Sequence, residues 1–398
     1  MKMSQNAVSA LTPAQLLLAF LMKYGLACLY GYIFLRYYGG DDTWMLHKEA
    51  ILQAELFRSN PSAFFSELLP SPDFDQYTGL KFLTLYFSDL EIYIQVKTLG
   101  LFSLITGGNY YLNALLFSMI MIWGQYWIYQ LITEHFPGYK FLYYLLIFFF
   151  VPIVFWISGI RSDAWLFLSL ALLFYSFNRW LYRGNPAFLI LTLFGFVGAM
   201  VFRLPYALLA IPALLAWLLH VKAKKRLSVS IISVYGLFVL VFFGSFYFSE
   251  ERALTKLIVE RQQEFATLNG NTRYNIGQLD ANPWSFLEAT PAALINVLVR
   301  PFPGEASGAL QYLSILENLL VCSMIAAALF MAFRNRRSIL FKEVLVVLLV
   351  YSISTYVLIG WIVPFPGAIV RYRALPELLL LVTLIPTANL RIKKNNIR

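Results

Sequence analysis

The run Gly39-Gly40-Asp41-Asp42 is the first stretch of this chain whose residue types suggest chemistry. Two carboxylates directly after a long apolar run can take a proton from a hydroxyl group held at a membrane surface. The same residues also have a structural use. An Asp ahead of a helical run accepts orphan amide hydrogens of the first turn, so Asp42 capping the segment from Thr43 onward competes with a catalytic role. A second cluster, Ser158-Gly159-Ile160-Arg161-Ser162-Asp163, separates two apolar runs. Either Arg161 and Asp163 pair to anchor a turn that Gly159 makes tight, or they face a ligand; charges at the ends of spans reach water at little cost. Isolated arginines beside prolines form a third set: Arg203 before Leu204-Pro205, Arg300 before Pro301-Phe302-Pro303, and Arg371 and Arg373 between Pro366 and Pro376. A planar guanidinium suits bidentate binding of phosphate oxygens, and a lipid phosphate is the natural anion at that depth. Pairing with carboxylates or lipid headgroups is the competing use. Lys23 falls inside an apolar run and is expected to snorkel to the interface.

These residues need a membrane scaffold. Hydrophobic residues make up 60% of the 398 and charged residues only 13%, an excess no soluble core absorbs. Apolar runs near 14–36, 109–132, 141–159, 164–182, 187–202, 204–220, 228–248, 312–333, 343–363 and 374–390 read as spans. The chain is therefore expected to be all-α, a polytopic transmembrane bundle of about ten spans forming one domain over residues 1–398. An even count puts both termini on one side. The basic clusters Arg179/Arg183, Lys222/Lys224/Lys225/Arg226, Arg334/Arg336/Arg337/Lys342 and Arg391/Lys393/Lys394/Arg398 share that side, which the positive-inside rule makes cytoplasmic. The net charge of +10 thus reads as membrane topology rather than nucleic-acid binding. No removable signal peptide is read in Met1 to Gln15.

Two extracytoplasmic connections are long, 37–108 and 249–311, and accessible chemistry is expected there. Within the first, Thr43 to Arg58 partly fits a surface helix that Asn60-Pro61 ends, and Ser88 to Thr106 suits the membrane interface. Cys28 and Cys322 lie in separate spans, and His47, His135 and His220 are scattered. Neither a disulfide, a thiolate site nor a histidine metal cluster is indicated.

An acidic pair beyond the first span, a surface helix after it, a charged turn two spans later and arginines in later outer loops together resemble the GT-C superfamily of membrane glycosyltransferases. The residues carrying the resemblance are Gly40-Asp41-Asp42, Ser158 to Asp163, and more weakly Arg300-Pro301-Phe302-Pro303 with Arg371-Tyr372-Arg373. The chain is also similar to bacterial membrane proteins encoded with surface-polysaccharide enzymes. The resemblance implies a polyprenyl-phosphate-linked sugar donor, a glycan or lipid-linked acceptor, and a plasma-membrane protein of the cell envelope working on its extracytoplasmic face. It implies a general base at Asp41 or Asp42. Phosphate binding then falls to Arg161, Arg203, Arg300, Arg371 and Arg373, with Asp163 and His47 in support. No cofactor is implied; a divalent metal stays open but, with Asp163 the only carboxylate of its turn, is not indicated. Members with a large soluble domain after the last span differ from the pattern expected here, which weighs against transfer to protein. A lipid-linked polysaccharide polymerase or ligase, a flippase or transporter of lipid-linked glycans, and a non-catalytic scaffold are the alternatives.

Overall fold

The computed structural model describes residues 11–66, 79–248, 253–268, 272–306, 308–334 and 342–387. Every regular element among them is helical. In chain order the helices are α1 (Pro13–Tyr38), α2 (Asp42–Ser59), α3 (Pro61–Ser66), α4 (Gly79–Thr106), α5 (Tyr110–His135), α6 (Lys140–Phe149), α7 (Val151–Trp156) and α8 (Ser162–Arg183). They continue with α9 (Pro186–Lys222), α10 (Leu227–Phe248), α11 (Leu254–Thr267), α12 (Pro283–Leu298), α13 (Ala309–Arg334), α14 (Glu343–Ile362) and α15 (Pro366–Thr387).

Local sequence marks many of the ends. Thr12 caps α1 in a reciprocal box with Gln15, with Pro13 in the first turn, where a missing N–H costs nothing. Gly39 closes α1 at φ 69° and Gly184 closes α8 at φ 70°, left-handed conformations that glycine adopts without strain. Asn60 ends α2 ahead of Pro61, as expected.

Among the described residues seven helices, α1, α5, α8, α9, α10, α13 and α14, are long and apolar enough to cross a membrane. The chain is a helical membrane protein. The other expected runs take different forms. Residues 141–159 contain two helices, α6 and α7, interrupted at Phe150 just before Pro152. The runs 187–202 and 204–220 lie in one helical stretch, α9, kinked at Arg203, whose φ and ψ are non-helical. Pro205 follows, and a proline cannot donate the amide that a continuous helix would require. The last run begins earlier, in α15, and keeps Arg371, Arg373 and Glu377 within the helix; positions 388–390 lie outside the described residues. So do Arg336, Arg337 and the cluster from Arg391 to Arg398.

Lipid is the solvent for much of this surface. Only 6% of the apolar stretch of α10 is buried inside the protein although its mean hydropathy is 2.3, so its exposed Leu237, Leu240 and Ile232 need a hydrocarbon environment.

The chain divides into two compact units, Met1–Glu134 with Ile147–Leu208, and His135–Leu146 with Leu209–Arg398. In the first, α2 lies along α4. Gly100 permits the close approach, because a Cβ there would stand 3.0 Å from that of Gln53 and 3.3 Å from the Ala50 carbonyl oxygen. Ala27, Leu46, Leu99, Tyr110, Phe117 and Ile160 belong to one buried cluster that ties α1, α2, α4, α5 and the turn before α8 together. In the second unit α14 packs on α12 and α15, and α13 on α15.

Candidate functional site

Residues from four separate parts of the first unit meet in one ionic cluster. Gly39 and Gly40 both have positive φ, 69° and 95°, and reverse the chain from α1 into α2. The start of α2 is then fixed from two sides. Trp44 Nε1 donates to the Gly31 carbonyl of α1 at 2.9 Å, and the Thr43 hydroxyl bonds the Tyr110 hydroxyl at 2.8 Å. Asp41 is the N-cap residue of α2, yet its side chain makes no capping bond. Instead Arg161 reaches both carboxylates, Nη1 to Asp41 and Nη2 to Asp42. Asp42, expected as the cap, is instead the first residue of α2, and its carboxylate accepts a charge-assisted bond from a residue 119 positions away.

The turn that carries Arg161 is held from behind. Lys23 does not snorkel: it is buried, and its ammonium donates to the Ile157 carbonyl at 2.8 Å. A carbonyl left over at the break between α7 and α8 offers the charge a nearer partner than the interface does. At Gly159 a Cβ would stand 2.8 Å from the Tyr30 ring, so the turn lies flat on that ring only because the residue is glycine. Arg161 Nε is 3.7 Å from Asp163, which lies in the first turn of α8, where a carboxylate also favours the helix dipole. The Arg161 side chain is 6% exposed, against 27% for Asp41 and 57% for Asp42. The guanidinium is thus the buried pivot, and the aspartates face outward from it.

Arg203 joins through its kink. Its Nη1 lies 3.2 Å from Glu91 Oε2, and its Nη2 donates to Ser162 Oγ at 3.3 Å. Burial raises the Glu91 carboxyl above its ordinary pKa, with the Arg203 guanidinium working against the shift. Ser162 stands between Arg161 and Asp163 in sequence, so one short turn touches both arginine pairs. Four carboxylates oppose two guanidiniums, and the cluster is acidic on balance. Among the described residues no three His, Cys, Asp or Glu side chains are grouped to hold a metal ion.

His47 points elsewhere. It is buried between α2 and α5, its Nδ1 3.4 Å from Asn113 Nδ2 and its ring edge-on to Tyr110 and Trp44. Burial lowers its pKa below 6.5, with a backbone hydrogen bond at Gly108 opposing.

The other three arginines belong to the second unit, each with a different fate. Arg300 donates to Glu305 at 2.6 Å and to Asn296 at 3.0 Å, and its guanidinium lies 4.5 Å from the centre of the Tyr274 ring. Arg373 is sealed. It donates to the Val297 carbonyl at 2.7 Å and stands 3.2 Å from Glu317 and 3.1 Å from Glu377. Asn318, the residue after Glu317 on α13, donates to the carbonyls of Val299 and Arg300. Arg373 and Asn318 therefore cap the C-terminal end of α12, where a cation also meets the negative end of the helix dipole. A guanidinium so occupied has no face for a phosphate. Arg371 is half-buried beside the Tyr372 ring.

Glu91, the bond that Ser162 accepts from Arg203 and the anchoring Lys23–Ile157 bond are the parts not foreseen from the sequence. Glu91 lies among residues suited to a surface helix, and the only signal for it is the need of the isolated Arg203 for a counter-charge. No protein-family signature, characterised protein or solved structure matches the chain.

Proposed function

We propose that the chain is an inverting glycosyltransferase of the GT-C type, transferring a sugar from a polyprenyl-phosphate donor to an acceptor hydroxyl at the extracytoplasmic face of a bacterial plasma membrane. The observation that carries this reading is the convergence on Arg161 of the Asp41 and Asp42 carboxylates, the first of which makes no capping bond although Asp41 holds the N-cap position. A cap would have consumed the carboxylates locally. Held on a buried guanidinium fork, they remain open to solvent on their outer side, as a base for an incoming hydroxyl requires.

In this mechanism the acceptor O–H gives its proton to Asp41 or Asp42 as its oxygen attacks the anomeric carbon. The bond from that carbon to the lipid phosphate breaks, and one displacement inverts the configuration. Arg161 is a positioning residue, since its exposure leaves it little contact with substrate. Arg203, 26% exposed, is the guanidinium of this cluster better situated to meet charge developing on the departing phosphate. Arg371 is the anion-binding candidate of the second unit. A ten-span count with both termini cytoplasmic is part of the same proposal, with α6–α7 and α15 as further crossings and α9 counted as two.

The test is release of free polyprenyl phosphate from a polyprenyl-phosphate hexose by the purified protein in proteoliposomes. Asp41→Asn or Asp42→Asn is expected to lower turnover by about 10²–10⁴-fold while the protein stays folded. Full turnover in both single variants overturns the reading.

A further inference from the structure

A cleft in the second unit, walled by α11, the irregular segment 273–278 and Pro364, has no part in the chemistry above. It is a half-open cleft of about 440 Å³, a volume within the range of small-ligand sites, roughly 300–1,000 Å³. Most of its lining surface is apolar, and its polar groups include the side-chain amides of Gln262, Gln263, Asn275 and Gln278 and the Arg273 guanidinium, with no carboxylate among the described lining residues. Two of the amides are structural. Gln262 donates to the carbonyls of Gly277 and Trp361 and accepts from the Leu279 amide, and Asn275 accepts from the Gly277 amide. Arg273 donates to the Ala266 carbonyl at 2.9 Å. Gln263 and Gln278 are exposed at the rim.

We infer that this cleft binds a neutral carbohydrate. Each primary amide presents donors and an acceptor side by side, matching sugar hydroxyls, which also both donate and accept. The absence of carboxylates among the described lining residues disfavours a cation, and the one arginine, Arg273, is exposed and turns one nitrogen to the Ala266 carbonyl. Ile276 and Pro364 supply an apolar surface for the C–H face of a sugar ring. A peptide strand fits less well, because edge pairing needs backbone groups. In this segment the amides of Tyr274, Gly277, Leu279 and Asp280 are already bonded, to Pro364, Asn275, Gln262 and Ser285.

Saturation-transfer difference NMR on the full chain in lipid nanodiscs tests this, with maltotriose and chitotriose as probes and N-acetyl-trialanine amide as the comparison. Ring protons of at least one saccharide should receive saturation, and Gln263→Ala with Gln278→Ala should weaken that binding about tenfold, the loss expected from two hydrogen bonds. No transfer to either saccharide, transfer undiminished in the double variant, or stronger transfer to the peptide overturns the proposal. Binding is read here without turnover. A chain that binds saccharide but releases no polyprenyl phosphate would sink only the transferase reading.

Discussion

The arginine cluster of each unit uses the same parts to opposite ends. In the first unit Arg161 holds two aspartates that remain 27% and 57% exposed. In the second Arg373 holds Glu317 and Glu377, which are 9% and 2% exposed. The difference is where the carboxylates sit relative to their backbone. Asp41 and Asp42 stand at a helix start after a glycine reversal, at the edge of the packing. Glu317 and Glu377 sit within α13 and α15 and are closed over by neighbouring helices. A guanidinium with carboxylates is therefore not itself a sign of catalysis. Only the first arrangement leaves a side chain that a substrate can touch, while the second satisfies the carbonyl end of α12.

Removing Arg373 should have the largest effect on stability. Arg373→Met strands two buried carboxylates, a loss of about 3–5 kcal/mol, read as a lowered midpoint of unfolding in detergent. Adding Glu317→Leu and Glu377→Leu should recover most of it. Failure of the triple variant to recover would mean that the triad does more than hold helices.

Arg161→Lys should act the other way round. A lysine keeps the charge but not the planar fork, so the aspartates lose their alignment. Turnover is expected to fall about 10–100-fold, on the order of the cost of misplacing a catalytic group, with a smaller change in unfolding midpoint than Arg373→Met gives. Equal damage to stability from both would erase the contrast between the clusters.

The smallest effect is expected at His47. Burial lowers its pKa from 6.5, so the folded state favours the neutral ring. Its contribution is present above about pH 6.5 and is lost as pH falls through the lowered value. The unfolding midpoint of the unaltered protein should therefore drop more steeply below pH 6.5 than that of His47→Gln. Parallel curves would show that the ring titrates as if exposed.

Part of the candidate site was legible from residue type and position. Asp41, Asp42, Arg161 and Asp163 stand out because charges are rare in this chain and these flank long apolar runs. Arg371 and Arg373 could not be told apart. On a helix two residues apart lie about 200° around the axis, so one faces the packing and the other does not, and sequence alone does not say which.

Composition by itself determined that this is a helical membrane protein, since runs of apolar residues must satisfy their backbone internally in lipid. Glycine and proline positions determined where α1, α2 and α8 stop. Tertiary structure alone decided that Glu91 meets Arg203, that Lys23 ends on a carbonyl, and that Asp41 forgoes its cap for Arg161. Such pairings join residues more than a hundred positions apart. Their energy depends on distance and burial, which are properties of packing rather than of any local pattern.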